Sequence, residues 1–245
     1  MISVCMASYN GEKYIKEQID SILCQIGDQD ELIISDDGST DNTISIVTKT
    51  YKDDRIKVIY NEGNHGYTPN FYNALKHAKG DYIFLSDQDD VWLPNKVETV
   101  INSLQKFNFV HSDAIIVDDN LNVINESHDD EYGVRKGFVP NLLRSRYLGC
   151  CMAFDRKVLQ SLFPVPCYKN KYPHDLWIAL IAEKYYSTCK IDIPLLYYRR
   201  HSNNVSDGGN GDKITIIKLL KKIIVRPYYL YYVLKQAKIV KEVNK

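Results

Sequence analysis

Short runs of β-branched and aromatic residues alternate, in the first half of the chain, with stretches whose apolar residues recur every three or four positions. The runs predict strands. They cover residues 2–6, 31–35, 56–60 and 81–86. The periodic stretches between them, such as Ile15, Ile19 and Ile22, predict helices. This alternation indicates right-handed βαβ units in a parallel sheet, where ligands bind beyond the carboxyl ends of the strands.

The second half of the chain has a less regular pattern. Its predicted elements are a helix at about 94–106, an apolar run at 109–118, a strand at 148–154, a helix at 174–184 and a strand at 191–198 that contains Pro194. Residues 125–140 predict a loop, and the glycines and asparagines of 202–212 predict a mobile loop. We therefore expect one α/β domain at 1–212, followed by a helical tail at 213–245.

The tail concentrates positive charge. Residues 213–245 carry nine basic side chains and one acidic one, which leaves 22 basic and 30 acidic residues, a charge of −8, in residues 1–212. On a helical wheel one face is apolar and the other is basic. The apolar face holds Ile216, Ile217, Leu219, Leu220, Ile223 and Ile224, and the basic face holds Lys218, Lys221, Lys222 and Arg226. Pro227 is expected to break this amphipathic helix, and four tyrosines follow it.

Two interpretations of the tail stay open. A basic amphipathic helix followed by tyrosines suits docking on an anionic inner leaflet of a membrane. The same helix could instead pack its apolar face on the domain or on another subunit, which leaves a homo-oligomer open. Nucleic acid is not an expected partner, because the rest of the chain is acidic.

Composition narrows the class of protein. The chain has 245 residues, of which 44% are hydrophobic and 25% charged, with a net charge of zero. These values are typical of a soluble globular protein and exclude disordered and fibrous classes. No apolar run reaches the roughly 18 residues of a spanning helix, and no secretory signal is recognised. Six cysteines without a C-x-x-C pair favour a reduced, cytoplasmic protein.

Acidic side chains cluster at the end of the fourth predicted strand. Asp87, Asp89 and Asp90 lie within four positions and would repel one another without a cation. An acidic helix start is the alternative, but it requires only one acid. Oxygen ligands of this kind predict Mg²⁺ or Mn²⁺.

A second acidic pair, Asp36 and Asp37, follows the second strand. By itself it is compatible with a turn and a helix cap. At the same sheet edge as the first cluster, it can instead accept hydrogen bonds from a base or a ribose.

Five ordered segments resemble the family-two glycosyltransferases with a GT-A fold. The segments are 7–12 (ASYNGE), 21–25 (SILCQ), 36–41 (DDGSTD), 64–66 (NHG) and 87–92 (DQDDVW). The last segment and the NGEKY start look most like the bacterial rhamnosyltransferase-like subgroup. The resemblance covers roughly the first 200 residues and implies a Rossmann-like, mostly parallel sheet flanked by helices. It also implies a nucleotide-binding half at about 1–110 and an acceptor half at about 111–212.

The resemblance implies roles for single residues. Residues implied in nucleotide binding, with Tyr9 by the base, are Ala7, Tyr9, Asn10, Glu12, Asp36, Asp37, Asn64, Gly66 and Asp87. Implied metal ligands are Asp89, Asp87 and His201, and implied phosphate contacts are Arg199 and Arg200. Residues placed beside the donor or acceptor sugar are Gln88, Asp90, Trp92 and His174. Trp92 has packing of the helix start as its alternative.

The candidate general base is Asp175. It opens a predicted helix where the family places an acidic pair, and a helix cap is its alternative role. His174 stands where the family usually has an acid.

The resemblance therefore implies an inverting, metal-dependent glycosyltransferase. Its partners would be a nucleoside diphosphate sugar, with dTDP or UDP as the nucleotide, and a lipid-linked acceptor of a surface polysaccharide. The subgroup favours L-rhamnose from dTDP-L-rhamnose, and a UDP-hexose donor and a non-catalytic nucleotide-binding scaffold are the alternatives. The expected location is the cytoplasm, at the inner face of the cell membrane as a peripheral protein.

Overall fold

The computed structural model describes residues 1–166, 173–201 and 216–245, and of these it gives only the backbone for 216–225. The strands are β1 (Ile2–Ser8), β2 (Glu31–Asp36), β3 (Ile56–Tyr60), β4 (Tyr82–Asp87), β5 (Val91–Trp92), β6 (Phe109–Val117), β7 (Val123–Asn125), β8 (Met152–Asp155) and β9 (Thr188–Arg199). The helices are α1 (Ile15–Leu23), α2 (Thr43–Thr50), α3 (Tyr67–His77), α4 (Lys96–Leu104), α5 (His128–Tyr132), α6 (Phe138–Arg144), α7 (Arg156–Ser161), α8 (His174–Tyr185) and α9 (Ile216–Val243).

Within the described residues the strands form one sheet in the order β3-β2-β1-β4-β8-β6-β9-β5, and β7 pairs with β6. Strands β1 to β4 pair with one another in parallel, as the alternating pattern predicted. Strand β8 runs antiparallel between β4 and β6, while β9 is parallel to β6. The register places Ser8 beside Asp36 and Ala7 beside Asp87, so the two acidic segments meet at one edge of the sheet.

Both faces of the sheet are covered by helices. Helices α1 and α4 contribute buried residues to the apolar cluster on one face, and α3, α7, α8 and α9 contribute to the cluster on the other. Alternate residues of the central strands enter the two clusters, since successive side chains of a strand point to opposite faces. The predicted α/β sheet, parallel in its first half and flanked by helices, is therefore confirmed.

Several sequence-based expectations about the second half need correction. The predicted loop at 125–140 contains α5 and the beginning of α6, and the predicted strand at 148–154 begins as a 3₁₀ turn at Gly149–Cys151. Strand β9 continues through Pro194, with a shift of its register against β6 nearby. Such a shift accommodates the missing N–H of proline. The predicted loop at 202–212 lies outside the described residues.

The C-terminal helix runs through Pro227, so the expected break at this residue is wrong. Proline removes one backbone hydrogen bond, and tertiary contacts compensate for that loss. Arg226 Nε donates to the carbonyl oxygen of Leu142 in α6 at 2.7 Å, and Gln236 Nε2 donates to that of Ser161 in α7 at 2.8 Å. From Arg226 onward, α9 is thus packed on the domain. The side chains that form most of the predicted basic and apolar faces, 216–225, lie outside the described part.

Among the described helices, none combines the length and the apolar character that crossing a membrane requires.

Candidate functional site

The two residues of the acidic pair after β2 have different surroundings. Asp36 accepts hydrogen bonds from Ser8 Oγ at 3.0 Å and from the backbone N–H of Gly38 and Ser39 at 3.1 and 2.8 Å. These contacts hold the turn that follows β2. The structure thus gives Asp36 a role in shaping the loop, and its predicted contact with a nucleotide stays a prediction.

Asp37 is held from the other side of the same edge. Asn61 Nδ2 donates to Asp37 Oδ1 at 2.7 Å, and the backbone N–H of Gly66 donates to Oδ2 at 2.7 Å. His65 Nδ1 lies 3.2 Å from Oδ1. Gly66 has a φ of 120°, which favours glycine. The segment that contains Asn64 and Gly66 is therefore anchored on Asp37, so these predicted nucleotide residues lie together.

The loop after β1 is joined to the start of α2. Thr40 N–H donates to Asn10 Oδ1 at 2.8 Å, and Asn42 N–H donates to Glu12 Oε2 at 2.9 Å. In return Glu12 N–H donates to Asp41 Oδ2 at 3.0 Å. Hydrogen bonds of Asn10 and Glu12 therefore connect the loop after β1 to the start of α2 and shape the predicted nucleotide pocket.

Gln88 holds the backbone of Tyr9. Its Oε1 accepts from Tyr9 N–H and its Nε2 donates to the Tyr9 carbonyl, both at 2.9 Å. The Tyr9 ring is 54% exposed, so it is accessible to a base. Gln88 thus orients the Tyr9 backbone, and its predicted contact with a sugar stays a prediction.

Gly11 lies against the Gln88 amide, and we predict that Gly11→Ala lowers stability and nucleotide binding together. A Cβ at this position would lie 2.1 Å from Gln88 Oε1. Relief of the clash breaks two hydrogen bonds to Tyr9, which lowers the free energy of unfolding by about 1–3 kcal/mol. Denaturant unfolding measures the effect. Gly27→Ala is the control, since its Cβ would only come 3.6 Å from Asp30; equal unfolding midpoints for the two variants would contradict the prediction.

Asp89 and His201 meet at the centre of the site. His201 Nε2 lies 2.8 Å from Asp89 Oδ2, and its ring stacks on Tyr14 with 4.9 Å between ring centres. The side-chain ligand atoms of Asp87, Asp90 and Cys150 lie within 4.8 Å of one another nearby. The structure therefore groups the three predicted metal ligands only in part. Asp89 contacts His201, and Asp87 belongs to the adjacent group.

This acidic group fits a divalent cation. Burial raises the pKa of Asp87 well above its ordinary value, and the charges of Asp90 and Asp89 raise it further. Burial likewise raises the pKa of Asp90 to about 7, with Asp89 adding to the effect. Within the described atoms, Asp90 Oδ2 is buried without a hydrogen-bond partner. A cation among these carboxylates would offset their repulsion and their burial.

Arg199 supports the acidic segment from behind. It is 2% exposed, and its Nε donates to the Asp89 carbonyl at 2.8 Å while its backbone N–H donates to Asp90 Oδ1 at 3.1 Å. Further donors reach the Asp119 carbonyl and Glu17 Oε2, each at 2.5 Å. These contacts indicate that Arg199 positions the cluster.

Arg200 points toward α5, where it donates to Tyr132 Oη at 2.9 Å. The phosphate contacts expected of Arg199 and Arg200 stay predictions.

Asp175 lies in the first turn of α8. Burial raises its pKa to about 6, with no neighbouring charge among the causes. Its own charge contributes to the raised pKa values of Asp87 and Tyr67, after the larger effect of burial. Asp175 is therefore close to the acidic cluster, and its pKa suits a general base near neutral pH.

Three predicted sugar contacts are buried. Trp92 is 3% exposed and packs against Phe84, with 5.6 Å between ring centres, which supports its packing alternative over stacking on a sugar. His174 is 5% exposed and stacks on Phe71 at 3.9 Å. Burial lowers its pKa to about 3, so His174 is neutral and inaccessible to a sugar. Asp90, also expected at a sugar, is 1% exposed.

Lys96 and Tyr229 are neighbours of the site that sequence reasoning did not assign. Lys96 is 2% exposed, donates to the Cys150 carbonyl at 2.9 Å and lies 4.7 Å from the centre of the Trp92 ring. Burial lowers its pKa, while the charges of Asp90 and Asp87 act in the opposite direction. Burial raises the pKa of Tyr229 in α9, and Asp175 contributes to that rise. The position of Lys96, two residues after Pro94, could have indicated that it lies near the site. Nothing in the sequence around Tyr229 indicated the same for that residue.

Comparisons with known proteins agree with this geometry. The sequence profile described as Glycosyl transferase family 2 matches residues 3–163. UDP-Glc:alpha-D-GlcNAc-diphosphoundecaprenol beta-1,3-glucosyltransferase WfgD of Escherichia coli is 30% identical over 208 residues, which cover 84% of this chain and 79% of that protein. WfaP of Escherichia coli, with the same enzyme name, is 30% identical over 237 residues, which cover 94% and 89%.

Two solved structures share the fold. S. aureus TarS 1-349 in complex with UDP-GlcNAc has a TM-score of 0.66 and 18% identity, and the match covers 99% of this chain and 71% of that one. Mannosyltransferase PcManGT from Pyrobaculum calidifontis, in complex with GDP-Man and Mn²⁺, has a TM-score of 0.60 and 18% identity, with 99% and 72% covered. Since the family profile and both relatives extend over most of the chain, the chain belongs to glycosyl transferase family 2 and is a glycosyltransferase with the GT-A fold.

Proposed function

We propose that this glycosyltransferase transfers a hexose from a UDP-sugar to a lipid-linked glycan, with inversion at the anomeric carbon and with a divalent cation. The observation that carries the proposal is an acidic cluster with a partly buried acid in its neighbourhood. Asp89 Oδ2 and His201 Nε2 lie 2.8 Å apart, and Asp175, in the first turn of α8, is among the charges that raise the pKa of Asp87. One group suits a cation and the other a base.

The relatives support a UDP-hexose as donor. WfgD and WfaP both carry UDP-glucose in their names, and TarS was crystallised with UDP-GlcNAc. This favours the UDP-hexose alternative over dTDP-L-rhamnose, which stays a prediction. The names of WfgD and WfaP also specify a GlcNAc joined to diphosphoundecaprenol, and this supports a lipid-linked acceptor for the present chain.

The residues that would hold the cation are Asp89 and His201, with Asp87 adjacent. PcManGT contains Mn²⁺, which supports a metal here, with Mg²⁺ and Mn²⁺ both compatible with oxygen ligands. When bound, such a cation would offset negative charge on the leaving diphosphate. Arg199 holds Asp89 and Asp90 in place through their backbone and side-chain atoms.

Asp175 would accept the proton of the acceptor hydroxyl. As that oxygen forms its bond to the anomeric carbon, the bond from this carbon to the diphosphate oxygen breaks on the opposite face, and the nucleoside diphosphate leaves with the electron pair. Tyr9 and Asp37, at the ends of β1 and β2, would contact the nucleotide. The non-catalytic scaffold alternative is not favoured, because Asp175 is a partly buried acid that does not serve as the N-cap of α8.

The activity should depend on pH through Asp175. Its carboxylate must be unprotonated to accept a proton, and burial raises its pKa to about 6. We therefore expect kcat/KM to fall about tenfold per pH unit below about pH 6 and to level off above it. Initial rates between about pH 5 and about pH 8 at saturating Mn²⁺ measure this profile. A flat acid limb would contradict the assignment of Asp175 as base.

Thermal unfolding with nucleotides tests the proposed donor. UDP, dTDP, GDP and CMP are each added with and without Mn²⁺, since a ligand of the native state raises the melting temperature according to its affinity. We expect the largest shift with UDP and Mn²⁺ together. A shift larger with dTDP would restore the rhamnose donor, and no shift with any nucleotide would contradict the proposed function.

A further inference from the structure

Helix α6 carries an exposed apolar pair on a short amphipathic surface. Phe138 and Leu142 face the apolar cluster beneath it. Val139 and Leu143, one residue further along, are 59% and 57% exposed. Residues four positions apart lie on the same side of a helix, so Val139 and Leu143 form one outward patch.

The flanks of this patch are basic although the domain is acidic. Residues 132–154 include four basic side chains and no Asp or Glu, while residues 1–212 carry a charge of −8. Three of the four are the arginines Arg135, Arg144 and Arg146, and Arg146 donates to the Gly133 carbonyl at 3.1 Å. In the described ranges, none of these three arginines forms an ion pair with an acid.

The C-terminal helix contacts α6 beside this patch. Arg226 Nε donates to the Leu142 carbonyl of α6 at 2.7 Å. The preceding helical residues, 216–225, include three lysines and no acid. These ten residues extend about 15 Å from Arg226 at the rise of an α-helix.

The same stretch of α9 leads to the candidate base. Tyr229 lies about one turn after Arg226, and Asp175 contributes to the raised pKa of Tyr229 after burial. Arg226 therefore contacts α6 about one helical turn before Tyr229.

We infer that α6, with the arginines beside it, is a docking surface for an anionic lipid bilayer, with Val139 and Leu143 inserted among the headgroups. Apolar side chains combined with basic residues are the two contributions that hold peripheral proteins on membranes. A bilayer at this surface would bring a lipid-linked acceptor to the side of Asp175. The inference rests on the proposed function for its purpose, and its test does not depend on catalysis.

Flotation of the full chain with vesicles tests the inference. Vesicles of phosphatidylglycerol and phosphatidylethanolamine are compared with vesicles of phosphatidylcholine alone. We expect binding to the anionic vesicles, weak binding to phosphatidylcholine and release at high salt. The double variant Val139→Asp with Leu143→Asp should lower the vesicle partition coefficient by more than about tenfold. The variant Arg135→Gln with Arg144→Gln should lower it about fivefold per arginine removed.

A matched control is provided by two equally exposed apolar residues elsewhere. Ile124 and Ile193 are each 59% exposed, and Ile193 follows an acid, Asp192. The double variant Ile124→Asp with Ile193→Asp should bind vesicles like the unmodified chain. Unchanged binding by the Val139 and Leu143 variant, or no binding of the unmodified chain to anionic vesicles, would overturn the inference.

Gel filtration and nucleotide binding separate the remaining outcomes. A shift of the Val139 and Leu143 variant from dimer to monomer, with vesicle binding unchanged, would identify the patch as a contact between copies and overturn the inference. The nucleotide-induced rise in melting temperature should be the same in all these variants. If nucleotides do not raise the melting temperature of the unmodified chain, the proposed function is contradicted. The vesicle result can then still be interpreted by itself.

Discussion

Asp175→Asn should lower turnover by about 10²- to 10⁴-fold, the usual contribution of a positioned general base. The amide has nearly the shape of the carboxylate but cannot accept the acceptor proton. The pKa of Asp175, raised to about 6 by burial, shows that the charged form is held at a cost to folding. Removal of that charge therefore offsets the loss of a favourable acid in the first turn of α8. Steady-state kinetics and the melting temperature measure the two effects.

The control for this variant is Asp130→Asn. Asp130 is also in the first turn of a helix, α5, but it is exposed. We expect Asp130→Asn to retain turnover, and Asp175→Asn to retain the thermal shift with UDP and Mn²⁺. Turnover within a few-fold of normal in Asp175→Asn would remove its role as base, and a lost thermal shift would reassign it to donor binding.

Asp89→Asn should abolish the effect of Mn²⁺ on nucleotide binding and lower turnover by orders of magnitude. The carboxylate Oδ2 lies 2.8 Å from His201 Nε2, where both could hold one cation. The contact between Arg199 Nε and Asp89 uses the backbone carbonyl and is kept in the variant. The fold should therefore be preserved. Titration calorimetry with Mn²⁺, alone and with UDP, measures the loss directly.

Two further variants make the Asp89 experiment specific. His201→Ala should weaken Mn²⁺ binding less than Asp89→Asn, since it removes a neutral ligand and leaves the charged one. Asp54→Asn is an exposed acid outside the site and should bind Mn²⁺ and UDP normally. Mn²⁺ binding by Asp89→Asn equal to that of Asp54→Asn would show that Asp89 is not a ligand.

The first half of the fold was predictable from periodicity, and the second half only in part. Strands β1 to β4 and the helices between them follow local patterns, and each βαβ unit restricts the next. The short helices α5 and α6 lie in a polar stretch whose pattern is too brief for a helical period. Pro227 was expected to break α9, but contacts of Arg226 and Gln236 with the domain stabilise the helix across it.

The residues of the site were predictable as a group, while their individual roles were not. Sequence patterns place Asp36, Asp37, Asp87 and Asp89 at strand ends, which meet at one sheet edge. They do not tell that Asp36 shapes its own loop, or that Gln88 holds the Tyr9 backbone. A tryptophan at position 92 is compatible with stacking on a sugar. Only its low exposure of 3% in the structure indicates a packing role.

The sequence by itself determined the parallel α/β half, the order of the acidic segments and the family, because these depend on local periodicity and on residue types at short spacing. The tertiary structure decided which acids meet. His201 and Asp89 are 112 positions apart, and Arg199 reaches Glu17 across 182 positions. It also decided the pKa of Asp175, which depends on burial, and the exposure of Val139 and Leu143 on α6. Burial and long-range contacts arise from the packing of the whole chain, and no short stretch of sequence contains them.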